Sequence, residues 1–113
     1  MGIGGLKMLI FNLKKQWFEK IKSGEKTHEY REVKPYWTKR LTKIRLWIFE
    51  NSNRIWGNDP ERKIKFCCGY PEETDLSKRL LAYVKSIKII NGKNTDLAID
   101  KDVYDIEFEL LED

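Results

Sequence analysis

Gly24-Glu25-Lys26-Thr27-His28-Glu29-Tyr30-Arg31 is the stretch on which the reading of this chain turns. A glycine opens it, and β-branched and aromatic residues follow, so it reads as a tight turn running into a strand over residues 26–32. Neighbouring side chains of a strand face opposite ways. Glu29 and Arg31 therefore share one face, and His28 and Tyr30 share the other. Lys26 stands at the turn exit, where its direction is less constrained. A Lys, a Glu and an Arg so close together suit a core only if each is paired. They suit the grip on a polar ligand well. Arg and Lys can hold phosphate, and Glu can accept from a base amino group or a ribose hydroxyl.

The flanks fix the surroundings of that stretch. Upstream, residues 7–13 are apolar and read as a strand. Trp17, Phe18 and Ile21 then fall at helical spacing, with lysines on the opposite side, so a short amphipathic helix is expected over residues 14–23. Gly24 fits its C-terminal cap. Downstream, Pro35 opens a short helical stretch over residues 36–41. Residues 44–49 (IRLWIF) read as a strand, residues 51–61 as a loop, and residues 64–68 as another strand closed by Gly69-Tyr70-Pro71. Residues 80–90 are rich in β-formers, but Lys85, Ser86 and Lys88 break the alternation, which predicts a bend or bulge. Asn91-Gly92 signals a tight turn. In the last strand, residues 103–111, Tyr104, Ile106, Phe108 and Leu110 point inward between acidic neighbours. The sum is an α+β, mainly β chain: a small barrel of about six strands, with one or two short helices packed on its ends. A helix between the first two strands excludes a simple meander.

Composition agrees with one domain. The chain has 113 residues, 41% of them hydrophobic and 35% charged. Residues 1–6 read as a loose arm, and residues 7–113 as a single domain. No apolar run approaches the ~20 residues of a membrane span, and the start lacks the pattern of a secretory signal. Cys67 and Cys68 are adjacent, so on a strand they face apart and do not bridge each other. They read as small apolar fillers. With a single His and no C-x-x-C, no metal and no cofactor is expected. A reduced cytoplasmic setting follows. Charge is unevenly spread. Residues 1–45 hold 12 Lys/Arg against 4 Glu, whereas the last twenty residues hold 8 acids and one Lys. A basic half favours an anionic partner such as nucleic acid, unless the fold brings the two halves together and they neutralise each other.

Gly24, Lys26, Glu29 and Arg31 also fill the pattern G-x-K-x-x-E-x-R, which resembles the signature of the ASCH domain, a relative of the PUA domain. The strand and helix before it fit that family's pattern. Pro35-Tyr36-Trp37, Lys39-Arg40-Leu41 and Gly69-Tyr70-Pro71 resemble a subgroup of small single-domain members found in bacteria and their phages. The resemblance covers roughly residues 7–91. It implies a PUA-like β-barrel with a cleft beside the signature, and it implies RNA binding. Some members are similar to amidohydrolases that act on acylated cytidine, others to ribonucleases. In the amidohydrolase branch the signature Lys works with a Thr at the position held here by Glu29. Thr27 is the nearest substitute, and the branch's third catalytic group, a carboxylate, has no matching position.

Candidate residues follow from both readings. Lys26, Glu29 and Arg31 are expected to bind ligand, and Lys26 and Glu29 to carry any catalysis. Glu29 and Arg31 could equally pair with each other. Tyr36 and Tyr70 flank turns and suit base stacking. Lys39 and Arg40, with Lys43 and Arg45 beyond them, form a phosphate track or a solvated helix face. His28 is expected to be structural or exposed. Trp47, Phe49, Trp56 and Phe66 are expected to anchor the core or a loop. The leading expectation is a module for RNA or a nucleotide-like small molecule that uses a basic cleft. The alternatives are a small metal-independent hydrolase and a protein-interaction or phage accessory module. Oligomeric state has no sequence signal.

Overall fold

The computed structural model describes residues 8–52, 60–72 and 74–111. The expected N-terminal arm and Trp56 lie outside them. Five strands form one mixed sheet in the order β1 (Leu9–Leu13), β3 (Lys63–Cys68), β4 (Arg79–Asn91), β5 (Asp102–Leu110), β2 (His28–Glu32). β1 runs parallel to β3, and the other pairs are antiparallel. The sheet curls into a half-barrel carrying two helices, α1 (Lys15–Lys22) and α2 (Pro35–Glu50). The fold is mainly β and consistent with a small PUA-like barrel. No helix among the described residues is long and apolar enough to cross a membrane.

Each local signal has a physical outcome. Phe18 and Ile21 of α1 are buried while its lysines stay in solvent. Gly24 ends the helix at φ 85°, a left-handed conformation that costs glycine little. Its N–H donates to the Ile21 carbonyl at 3.0 Å, and the Lys26 N–H donates to Lys20 at 3.0 Å. The backbone is thus tied under the helix C-terminus before it enters β2. In β4 the register slips between Val84, paired with Phe108, and Ser86, paired with Glu107. Lys85 is the extra, exposed residue of the expected bulge. The core lies on the concave side of the sheet. Phe11, Phe66 and Phe108 pack ring against ring there, at 5.6 and 4.7 Å between centroids, over Leu41, Ile64 and Ile106.

Three expectations are corrected. Residues 44–49 are the second half of α2 and form no strand, so the described sheet has five strands where about six were expected. Their β-branched and aromatic content suggested a strand, but nothing breaks the helix begun at Pro35. Trp37, Leu41, Ile44 and Ile48 recur at helical spacing against the core, and that packing outweighs local propensity. For the same reason Phe49 falls on the outer face, 79% exposed, and does not anchor the core. Finally, the turn signalled by Asn91-Gly92 is present but is not a two-residue hairpin turn. Asn91 ends β4, and residues 92–101 form a longer connection that begins with a short 3-10 turn at Gly92–Asn94. Gly92 serves closeness rather than turn geometry. A Cβ there would lie 2.6 Å from Val103 Cγ1 and 2.9 Å from the Ile99 carbonyl oxygen.

Candidate functional site

β2 pairs with the acidic strand β5, setting His28 opposite Glu107, Glu29 opposite Ile106 and Tyr30 opposite Asp105. The basic and acidic halves of the sequence therefore meet along one edge of the sheet. This pairing decides the electrostatics of the site. Lys20, Lys26 and Arg31 each have an acid in reach.

Glu29 is the hub of a line of alternating charges. It is one of two buried charged side chains among the described residues, 6% exposed. Arg31 donates to one of its oxygens through Nε at 3.1 Å and through a terminal nitrogen at 2.7 Å. Lys26 Nζ approaches the other oxygen at 3.3 Å and also pairs with Asp96, which comes from the 92–101 connection. Aromatic faces complete the enclosure. The Arg31 guanidinium lies 4.8 Å from the Trp37 ring centroid and 5.2 Å from that of Phe11. Lys26 Nζ lies 4.9 Å from the Tyr30 ring and 5.6 Å from the Trp17 ring. The order Asp96, Lys26, Glu29, Arg31 alternates in sign and sums to zero formal charge. That is the condition under which buried charges are tolerable.

Beside this line opens a pocket of about 270 Å³, lined by Trp17, Lys20, Glu25, Lys26, Thr27, His28, Tyr30 and Asp96. Its wall is built by α1, the Gly24 turn, the start of β2 and the 92–101 connection. Its lysines are paired, Lys20 with Glu25 at 3.5 Å and Lys26 as above, and His28 Nδ1 lies 2.6 Å from a carboxylate oxygen of Asp105. The Tyr30 hydroxyl has its pKa raised, first by burial and then by the carboxylates of Asp105, Asp96 and Glu29. The pocket thus offers two aromatic side chains together with donors and acceptors, and little net charge.

A family model described as ASCH domain matches residues 11–109. The chain belongs to the ASCH domain family. No curated protein and no solved structure gives a significant match. The match takes in the whole signature and runs on into β5, beyond the stretch on which the sequence resemblance rested. The ASCH signature thus has a structural meaning in this chain. Its glycine makes the helix-ending turn, and its Lys, Glu and Arg form three consecutive members of the charge line.

The remaining candidates of this ASCH domain lie elsewhere. Tyr36, Lys39 and Arg40 sit on the first turns of α2, beyond the far end of β2, a strand span of roughly 16 Å from the Lys26 turn. Arg40 stacks on Tyr36 with its guanidinium carbon 3.5 Å from the ring centroid, and it donates to the Tyr36 carbonyl. Among the described residues, Lys39 and Lys43 pair with no carboxylate. Tyr70 stands 90% exposed in the loop after β3 and does not line the pocket. Several residues of the site carry no local sequence signal for it, Lys20 and Glu25 among them. Trp17 was assigned to packing alone. Asp96 and Asp105 looked like two acids among many, since only the pairing of β2 with β5 and the path of residues 92–101 bring them to the signature. His28 lacked a nameable partner until Asp105 supplied one. Among the described residues no cluster of His, Cys, Asp and Glu suits a metal ion.

Proposed function

We propose that this ASCH domain binds single-stranded RNA, taking one base into the pocket beside the signature and meeting the phosphates with the exposed cations of α2. The pocket carries the proposal. It joins Trp17 and Tyr30 to Lys26, His28 and Asp96 within about 270 Å³. Ligand pockets run from roughly 300 to 1,000 Å³, so this one suits a fragment the size of a base rather than a large ligand. Base edges need donors and acceptors side by side, which a neutral ammonium–carboxylate pair supplies. Base faces need aromatic or apolar walls. The phosphates need cations that are not already neutralised, and Lys39, Arg40 and Lys43 on the outer face of α2 are exposed. Membership of a PUA-like family supports the same reading.

The test is a titration of labelled single-stranded RNA into the protein and its Trp17→Ala variant. Stacking on an aromatic side chain contributes roughly 1–3 kcal/mol per base, so the variant is expected to bind about tenfold more weakly. Equal affinity for the two proteins would remove the pocket from the interface.

One observation favours the hydrolase alternative. Thr27 and Lys26 both line the pocket, and Asp96 supplies a carboxylate on Lys26 that no sequence match had located. That reading expects turnover of acylated cytidine or RNA, abolished by Lys26→Ala in a protein that still folds. Binding without turnover would set it aside.

A further inference from the structure

Lys26 is the signature cation that reaches the pocket, yet it already holds two carboxylates. These differ in kind. Glu29 belongs to the sheet, is buried, and shares its charge with Arg31. Asp96 comes from the 92–101 connection, on the solvent side, with its side chain 36% exposed against 9% for Lys26. With Arg31 balancing Glu29, Asp96 is the carboxylate that brings Lys26 to neutrality.

The connection is tied together by hydrogen bonds of its own. The Gly92 carbonyl accepts from the Thr95 and Ile99 amides, both at 3.2 Å, and from the Thr95 hydroxyl at 2.8 Å. The Leu97 amide donates to the Thr95 hydroxyl, and the Asn91 side chain donates to Asp100 at 2.9 Å. The Gly92 amide closes the base of the connection on the Lys101 carbonyl at 2.8 Å. This knot presents the carboxylate to the pocket as part of the fold. Its field is felt there, since Asp96 is among the charges that raise the Tyr30 hydroxyl.

We propose that Asp96 is the specificity-determining residue of the pocket: it occupies the place on Lys26 that an anionic ligand group would take, and so restricts the pocket to uncharged polar rings. This inference rests on the base-binding reading of the pocket. A phosphate or carboxylate approaching Lys26 meets a carboxylate on the same ammonium and is repelled. An uncharged base edge meets a donor and an acceptor and can satisfy both. The phosphates of the same RNA are thereby turned away from the pocket and left to cations elsewhere. Replacing Asp96 with an uncharged residue leaves Lys26, Glu29 and Arg31, a group of net charge +1 opening on the pocket, which is an anion site.

The experiment uses inorganic phosphate as probe, followed by amide chemical shifts in the full chain. The wild type, Asp96→Asn, Asp96→Ala and the double variant Asp96→Asn/Lys26→Gln are compared, with single-stranded RNA titrated in parallel. Asp96→Asn and Asp96→Ala are expected to bind phosphate at the pocket about tenfold or more tightly than the wild type, and the double variant is expected to lose that gain. Equal phosphate binding by the wild type and both single variants overturns the proposal, as does a gain that survives the loss of Lys26. Unfolding of both single variants also overturns it, because Asp96 would then be a structural tie. A phosphate gain with no RNA binding by the wild type would leave the role of Asp96 standing and sink the base-binding reading. RNA binding with no phosphate gain would do the reverse.

Discussion

Arg31 donates two hydrogen bonds to a single oxygen of Glu29, at 2.7 and 3.1 Å, while it lies over the Trp37 ring. The guanidinium is thus both the counter-ion of a buried carboxylate and part of the lid on the aromatic core. Removing one partner of a buried ion pair costs roughly 3–5 kcal/mol. Lys26 still faces the other Glu29 oxygen, so Arg31→Ala is expected near the lower end, a loss of about 3 kcal/mol in urea unfolding. Arg31→Lys is expected to recover little of it, because an ammonium cannot both fork onto Glu29 and stack on Trp37. Unchanged stability in either variant would mean that the signature Arg does no structural work.

The course of α2 can be checked by two truncations. On a strand, Ile44 and Leu46 would face the same way and cost alike. On the helix, Ile44 is 7% exposed and Leu46 is 54% exposed. Ile44→Ala is therefore expected to lower stability by roughly 2–4 kcal/mol, and Leu46→Ala by less than about 0.5 kcal/mol. Equal costs in denaturant unfolding would argue against the helix.

Tyr30 gives a pH signature. Burial, then Asp105, Asp96 and Glu29, raise its hydroxyl above the ordinary tyrosine value of 10.0. The sign follows from linkage. A group whose pKa is raised by folding contributes stability that is complete below the unfolded value and is lost as pH rises through the folded one. In an absorbance titration of the native protein, Tyr30→Phe is expected to remove a component that ionises above pH 10.0, and Asp96→Asn to move that component to lower pH. A titration left unaltered by Tyr30→Phe would contradict the assignment.

Much of the fold was legible in the residues, for identifiable reasons. Gly24 marked a helix end because only glycine takes that turn cheaply. The alternation of Tyr104, Ile106 and Phe108 placed β5, and broken alternation at Lys85 placed the bulge. Those signals are fixed by local chemistry. The α2 region misled because Ile44 to Phe49 is rich in strand formers, and its helical period shows only when Trp37 and Leu41 are counted with it. The site was half legible. Lys26, Glu29 and Arg31 are neighbours in sequence and in space. Asp96 and Asp105 reach them only through strand pairing and a connection whose path is tertiary, and no spacing rule encodes that.

In the proposed mode of RNA binding, phosphate contacts come from α2 while the pocket carries no net charge. The direct measurement is the affinity for labelled single-stranded RNA over a range of salt concentrations, in the wild type and in Lys39→Ala and Arg40→Ala. Saturable binding that weakens with salt is expected, with each variant lowering the slope of log affinity against log salt by about 0.7. No binding at low salt, or binding whose salt slope ignores both substitutions, would contradict it.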